Sequence, residues 1–340
     1  VALICSTITA GNLFQTWNVA ELTESYFNVP GYVTGLILAT LVGAVIIGGI
    51  KRIGAVASKL VPFMLILYIL ACLVVLSVNF DQIPAMLTLI VTSAFSSLES
   101  SNAFIGGTAG YAFMYGMQRA LFSNEAGQGS SPVAHSAAKT DEPIREGIVA
   151  GLEPFIDTIV VCTMSALVIL VTGIWNRPAE LTVDQIEFTQ LTENTWAVDT
   201  NDPKISVLEK GRSVFMIYQG DNNEETGNNL KKAFGSVTSN NANEIVVACA
   251  EIQSTQKPTA ADNGIYLDYV GATLTAAAFD IAIPGLGKWL VTLASWLFAI
   301  STMISWSYYG EKAIVYLIGQ KGVLLYKIVF CMLAVVGTLE

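Results

Sequence analysis

The sequence predicts an all-α polytopic membrane protein, and three observations carry that prediction. Of 340 residues, 53% are hydrophobic and only 13% are charged. The charges are clumped, so uncharged runs cover 2–20, 25–50, 60–80, 100–118, 158–176 and 289–310. Runs of this length suit helices that cross a hydrocarbon layer about 30 Å thick. Inside lipid the backbone must satisfy its own hydrogen bonds, so the runs are read as helices and not as strands.

Taken in order, 1–20 reads as a first helix with Asn12, Gln15 and Asn18 toward its end, followed by the cation-free loop 21–31. A second helix spans about 32–50 and leads into KRIGAVASK (51–59), which carries three cations. A third helix, about 60–79, precedes the short NFDQIP (79–84). Next comes an interrupted segment, 85–121, with Glu99 and glycines at 106, 107, 110 and 116. The polar stretch 122–140 follows, then helices at about 146–173 and 285–317, and a last apolar run to Leu339. Short loops alternate between cation-bearing and cation-free. The positive-inside rule therefore puts 51–59, 119–145 and 312–327 in the cytoplasm, and 21–31 and 79–84 outside. Val1 opens directly inside an apolar segment with no initiator Met, which reads as an internal fragment.

The net charge of −10 belongs mostly to one loop, since 178–268 holds six Lys and Arg against fourteen Asp and Glu. That loop, about 176–270, falls on the outer side. Its Asn- and Gly-rich turns (220–229, 239–243) alternate with the apolar runs SVFMIYQ (213–219) and EIVVACAE (244–251), which read as strands. A small extracellular insert with β-strands is expected there, with a disordered loop as the alternative. The five cysteines, Cys5, Cys72, Cys162, Cys249 and Cys331, have no CxxC spacing and read as small buried hydrophobes. One histidine leaves little for a zinc site or a Ser-His-Asp triad, and no nucleophile–base pair is visible for a membrane peptidase.

The chain is organised around FSNEAGQGSSPVAHSAAKT (122–140), whose Gly127, Gly129 and Pro132 forbid an unbroken helix. This stretch closely resembles the signature of the alanine or glycine:cation symporter family. The likeness continues in EPFIDTIVVCTMSALVILVTG (153–173) and LFAISTMISWSYYGEK (297–312). The resemblance implies a leucine-transporter-like inverted-repeat fold, present in part. Residues 1–175 would be transmembrane helices 3 to 7, 176–270 the acidic extracellular insert, and 271–340 helices 8 and 9. Helices 1 and 2 and the C-terminal end would be missing. The implied activity is sodium-coupled import of alanine, glycine or a similarly small amino acid by alternating access, across a cell membrane of bacterial inner-membrane type. Small amino acid, sodium and lipid bilayer are the implied partners, with no nucleic acid. No organic cofactor is implied, and sodium is the coupling ion.

The candidate site residues follow. In NAFIGGTAG (102–110) Phe104, Gly106 and Thr108 fall on the family's GGFAGAT pattern, with Gly107 between them; Asn102 and Ala103 stand where the family has a glycine pair. A helix opened there would offer N–H groups to a substrate carboxylate and carbonyls to sodium; close packing through small residues is the other reading. Ser301 and Thr302 form a hydroxyl pair deep in helix 8 that the resemblance assigns to sodium, against the common use of such hydroxyls in bonding to the preceding turn. Trp306, about one turn on, is implied to limit substrate size. GNLFQTW (11–17) is similar to a family GNM-x-Q run, with Trp17 in place of a smaller polar residue; the resemblance implies that Asn12, Phe14 and Gln15 face the pocket and help define substrate size, and helix–helix hydrogen bonding is the other reading. Asp157 is a carboxylate inside a span, a functional-site hypothesis by default: it binds a cation, relays a proton, or pairs with a cation of another helix. Glu153 lies nearer the cytoplasmic end and is expected to snorkel or pair with Arg145 or Lys139. Two rival functions stay open: a proton-coupled transporter of the same fold, turning on Asp157, and a transport-inactive receptor or scaffold that binds a partner through the insert.

Overall fold

A computed structural model describes residues 1–95, 109–125, 129–200, 202–222, 229–239 and 245–339. The chain divides into two compact units. One comprises Val1–Ile83, Met117–Thr172 and Val270–Glu340; the other comprises Pro84–Gly116 and Gly173–Tyr269. The helices are α1 (Ala2–Ile8), α2 (Phe14–Phe27), α3 (Gly31–Ile46), α4 (Ile50–Val78), α5 (Ile83–Phe95), α6 (Ala109–Ser123), α7 (Ser131–His135), α8 (Pro143–Pro154), α9 (Thr163–Val171), α10 (Thr273–Ala282), α11 (Gly287–Ile318) and α12 (Val323–Val336).

In the first unit, α1 passes through five residues of π-helix, Thr9–Leu13, straight into α2. The rod ends at Phe27, not near residue 20. Leu22, Glu21 and Glu24 are good helix formers, and the stop comes where Asn28 takes a left-handed φ of 53° ahead of Pro30. The cationic stretch 51–59 is also helix. It forms the first turns of α4, with Lys51, Arg52 and Lys59 exposed, so the cations ride on a 29-residue helix and not on a loop. A second π stretch, Phe155–Cys162, joins α8 to α9. Helix α10 lies in 271–284, where no uncharged run is long enough to predict a span. Its buried residues are Thr273, Ala276, Ala277, Ala278 and Phe279, mostly small and uncharged, and they pack without leaving a long apolar signal.

The axis of this unit is α11, which packs against α1, α2, α3, α4, α10 and α12. Its Met303, Ile304, Trp306, Tyr308 and Tyr309 share one core with Val42 and Ile46 of α3, Ile53 of α4, and Tyr326 and Phe330 of α12. Lipid tails are as apolar as these side chains, so shape complementarity, not escape from water, holds such helices together. Among the described residues, three helical stretches are long and apolar enough to cross a membrane: Ile50–Val78, Pro143–Val171 and Gly287–Ile318.

In the second unit, residues 173–269 build β1 (Leu181–Thr182), β2 (Glu187–Thr192), β3 (Thr195–Asp199), β4 (Ser213–Gln219), β5 (Leu230–Ser239), β6 (Ile245–Cys249), β7 (Ile252–Gln253), β8 (Thr259–Ala260) and β9 (Gly264–Leu267). A six-stranded antiparallel sheet runs β1-β9-β4-β5-β6 with β8 also on β4; a three-stranded sheet runs β2-β3-β7. The β-structure is sizeable, well beyond a small insert with a few strands. The run SVFMIYQ is the central strand β4, and its lack of polar alternation has a direct cause. Val214 and Met216 enter one apolar cluster with Val237, Val247 and Ile265, while Phe215 and Ile217 on the opposite face join Tyr266.

Two carboxylates pin the turns of this β region. Asp202 accepts from the backbone N–H of Lys204 at 2.9 Å and of Asp184 at 2.8 Å. Asp221 accepts from the Thr255 N–H and hydroxyl, both at 2.7 Å, and from the Gln256 N–H at 3.3 Å. These donors hold both carboxyls below the ordinary aspartate value of 3.8. A carboxyl depressed in the fold contributes stability above that value and loses it as pH falls through the lower folded one. Asp268, raised by burial, works in the opposite direction. Amide protection of β4 and β5 in the full-length protein should therefore fall as pH is lowered from about 6 to about 3. The double change Asp202→Asn and Asp221→Asn should lower protection at neutral pH and flatten that acid slope, as hydrogen exchange would read.

Candidate functional site

The helical unit forms a partly open cavity of about 280 Å³. Its longest wall is one face of α11. Ser301, Ser305 and Tyr309 recur at intervals of four, with Thr302 and Trp306 on the adjoining ridge. The wall opposite comes from Ala10 of the first π stretch and Gln15 of α2, and Val61 of α4 closes one side. The remaining lining is Phe122 and Ser123 at the end of α6, Glu125 just beyond it, and Glu153 of α8.

How α11 reaches the first rod is legible at Gly11. A Cβ built there would stand 2.5 Å from the Trp306 Cβ and 2.7 Å from its Cγ, so only a glycine lets the buried indole seat against the π stretch. The wider winding at Thr9–Leu13 is the local distortion often found at functional positions. Within it Asn12 is fully buried. Its amide donates to the Phe330 carbonyl at 2.7 Å, and its Oδ1 has no hydrogen-bond partner. Gln15 donates back to the Ala10 carbonyl at 3.3 Å, which turns its amide along the cavity wall.

The Ser301 hydroxyl donates to the Phe298 carbonyl at 2.8 Å, the back-bond common for a helical serine. That bond spends the proton and leaves oxygen lone pairs, which a cation needs. Thr302 beside it lines the cavity. Trp306 and Tyr309 stack as a tilted pair with ring centroids 5.5 Å apart.

Glu125, a residue of the signature loop outside the set expected at the site, enters the wall through an uncommon backbone. Its φ is 55°, a left-handed conformation for a non-glycine residue. Its carboxylate accepts from Ser130 at 2.7 Å and lies within hydrogen-bonding reach of Trp306 and Tyr309. No sequence signal could have placed a loop carboxylate here. Ser305 and Tyr309, by contrast, were readable from Ser301 by counting four and eight along α11. Glu153 pairs differently from the expectation. Its Oε2 meets His135 Nε2 at 3.8 Å and Ser131 at 3.5 Å, while Arg145 pairs with Glu142 at 3.5 Å. The stretch Asp141–Glu142 turns the chain ahead of α8, so Arg145 faces its own first turn.

Of the residues expected at a site, Gln15, Ser301, Thr302 and Trp306 line one cavity. Phe14 stands just behind it, edge-on to Phe122 with ring centroids 5.7 Å apart. Asp157, on the second π stretch, is not in the lining. Its Oδ2 accepts from the cavity-lining Ser123 at 2.5 Å, and the neighbouring Thr158 accepts from Asn124 at 2.8 Å. Together these bonds stitch the end of α6 to the π stretch. Phe104, Gly106, Gly107 and Thr108 lie outside the described residues.

The profile of the sodium:alanine symporter family matches residues 1–199 and 245–340. The chain belongs to that family. The unmatched 200–244 holds β4 and β5, the strands at the centre of the larger sheet. The long apolar helical stretches among the described residues and the family together make this chain a multi-pass membrane protein, and membership in a symporter family makes it a transporter-family chain and not an enzyme. It is 36% identical to the sodium/alanine symporter AgcS of Methanococcus maripaludis over 328 residues, 96% of this chain and 52% of that one. It is 27% identical to the sodium/proton-dependent alanine carrier protein of Bacillus sp. PS3 over 304 residues, 89% of this chain and 51% of that one. Over a shorter stretch of 167 residues it is 36% identical to the probable sodium/glutamine symporter GlnT of Bacillus subtilis, covering 49% of this chain and 34% of that one. The chain thus spans about half the length of the curated relatives that it matches along most of its own.

Because Trp306 fills the space a side chain at position 11 would need, Gly11→Val is expected to overpack this contact at a cost of about 1–3 kcal/mol. A lower thermal midpoint of the purified full-length protein, with a shifted tryptophan emission, would report it. An unchanged midpoint would contradict the close approach.

Proposed function

We propose that this protein is a sodium-coupled importer of a small amino acid such as alanine or glycine, working by alternating access. The observation that carries the reading is the shared face of α11. In a chain of the sodium:alanine symporter family, Ser301, Thr302 and Trp306 meet Gln15 around one cavity. Its volume is near the ~300 Å³ lower end of ligand pockets, in keeping with a small cargo. That AgcS is a sodium/alanine symporter supports the same cargo and ion.

In this reading the fold is the leucine-transporter-like inverted repeat. The rod of α1 and α2 is its helix 3, α3 and α4 are helices 4 and 5, and α5 with α6 make helix 6. The pair α8 and α9 is helix 7, and α11 and α12 are helices 8 and 9. Residues 176–270 form an extracellular domain, and the cations of 51–59 and 119–145 face the cytoplasm. The Ser301 and Thr302 hydroxyls hold sodium. Neutral oxygens serve an ion that must leave, since no buried negative charge is stranded when the site empties. Gln15 and Trp306 bound the cargo, Phe14 supports them through Phe122, and the glycine segment with Phe104, Gly106, Gly107 and Thr108 supplies backbone groups to its carboxylate. Ion and cargo bound side by side each raise the other's affinity, and that reciprocal term is the coupling.

A proton-coupled version has a specific observation behind it. The Bacillus sp. PS3 relative is named sodium/proton-dependent, and Asp157 sits on a π stretch bonded to the cavity wall. Here Asp157 would carry the proton in place of, or beside, sodium.

Full-length protein in proteoliposomes decides between them. Alanine accumulation driven by a sodium gradient at equal pH supports the first reading, and accumulation driven only by a pH gradient supports the second. Ser301→Ala with Thr302→Ala should raise the sodium concentration for half-maximal uptake about three- to tenfold, the worth of one or two polar ligands. An unchanged sodium dependence would remove the pair from the ion site. Trp306→Ala should let larger amino acids compete for uptake, and unaltered selectivity would leave the indole a packing residue.

A further inference from the structure

Glu125 lines the cavity, yet it has no part in the reading above. Its side chain accepts from the Ser130 hydroxyl at 2.7 Å, and it is also hydrogen-bonded to the Trp306 indole and the Tyr309 hydroxyl. An indole nitrogen can only donate, so the sense of the bond to Trp306 is fixed. Trp306 and Tyr309 stand three apart on α11 and therefore face the same way. Their rings lie against each other with centroids 5.5 Å apart. One loop side chain thus gathers two polar tips from the helix that forms the longest wall.

The backbone that carries Glu125 is pinned. Immediately before it, Ser123 donates to Asp157 at 2.5 Å and Asn124 donates to Thr158 at 2.8 Å, both on the second π stretch. The chain then turns through the left-handed φ of 55° at Glu125, and the carboxyl closes back onto Ser130. The acceptor offered to the indole therefore stands at a set place, tied to the segment that joins α8 to α9.

Trp306 needs such an anchor. Its root is seated on Gly11, where a Cβ would come within 2.5 Å of the indole Cβ, 2.7 Å of Cγ and 2.8 Å of Cδ2. That seat holds the start of the side chain. The second torsion of an aromatic residue has a broad, roughly two-fold minimum, and turning about it would swing the far edge of the ring across the cavity. A bond at Nε1 supplies a second fixed point, and a rigid bicyclic ring held at its root and its nitrogen keeps one plane.

We propose that Glu125 is the positioning residue that sets cargo size: it holds the Trp306 indole by its N–H and so fixes the ring as the wall bounding the amino-acid side chain. The cargo part rests on the proposed function, in which Trp306 limits the substrate; the holding of the ring does not. Without the acceptor the ring turns, the space beyond an alanine methyl is no longer closed, and unbranched neutral amino acids with one or two more methylenes enter.

The deciding experiment places fluorinated tryptophan in the full-length protein and follows its fluorine NMR lines, with Trp306→Phe identifying the line of Trp306. Glu125→Leu, which keeps bulk but accepts no bond, should displace and broaden that line. Glu125→Gln, which keeps an acceptor oxygen, should return it most of the way, a rescue that simple filling of space would not give. In proteoliposomes, competition by α-aminobutyrate for alanine uptake reads the consequence, since a fitted pocket rejects one added methylene by about tenfold or more. Glu125→Leu should narrow that discrimination about three- to tenfold, and Glu125→Gln should narrow it less. In the Trp306→Phe background, which has no N–H to hold, Glu125→Leu should add little. An unmoved line in Glu125→Leu, a moved line with unchanged discrimination, or an undiminished effect in the Trp306→Phe background would overturn the proposal. A measurement on the native protein guards against a variant that does not fold. The Trp306 indole N–H should exchange with deuterium at least about tenfold more slowly than that of exposed Trp289, and equal rates would also overturn it. Absence of alanine uptake by the native protein would count against the transport reading, while the fluorine line would still decide whether Glu125 holds the ring.

Discussion

Everything the helical unit does depends on how closely α11 lies against the π-wound part of the first rod. Trp306 rests where a side chain at position 11 would have to be. From that contact, the period of the helix sends Ser301, Thr302, Ser305 and Tyr309 to a single wall, and the opposite face of α11 into the core with α3 and α12. If the rod stood further off, the hydroxyls and Gln15 would not face one volume. A glycine and an indole thus set the width of the cavity, and the aromatic core behind them fixes α11 against sliding.

Among the described residues of this unit, π-helical winding occurs at Thr9–Leu13 and Phe155–Cys162, and each stretch contains a polar residue bonded across helices. A π turn leaves carbonyls less well paired and offsets the side chains that follow. Asn12 and Asp157 exploit this differently. The asparagine amide crosses to the Phe330 carbonyl with Oδ1 left over, while the aspartate takes a serine hydroxyl from the end of α6. Polar groups in lipid are costly unless they are bonded, so such cross-helix bonds fix the register between segments that apolar packing alone would leave free to slip.

The β-rich unit obeys different physics. Its strands bury two apolar faces of β4, and its turns are held by carboxylates that accept backbone N–H groups. The family match passes over 200–244, where that central strand and its neighbour β5 lie. The family pattern therefore does not specify the middle of the larger sheet, and this chain's own sequence must do so, through the buried alternation of Val214, Phe215, Met216 and Ile217. The acidity of the region has a structural use in part, since Asp202 and Asp221 act as turn clamps and not as a diffuse surface charge.

By itself the sequence determined the helical membrane class, the family, and the strand at 213–219. Each of these is written in local runs: uncharged stretches long enough to span lipid, a contiguous signature, and an apolar segment between turn residues. It also named Gln15, Ser301, Thr302 and Trp306, because the resemblance is carried by contiguous motifs. Helix ends were less legible. Charge suggested loops at 21–31 and 51–59, but Leu, Glu and Lys are as content in an aqueous helical turn as in a loop, and α2 and α4 simply continue. Only the tertiary structure decided which residues share the cavity. Glu125 enters it through one left-handed φ, Glu153 turns to His135 and not to Arg145, and Asp157 stays behind the wall on a serine. Those outcomes depend on the spacing between helices far apart in sequence, a quantity that no local pattern of residues encodes.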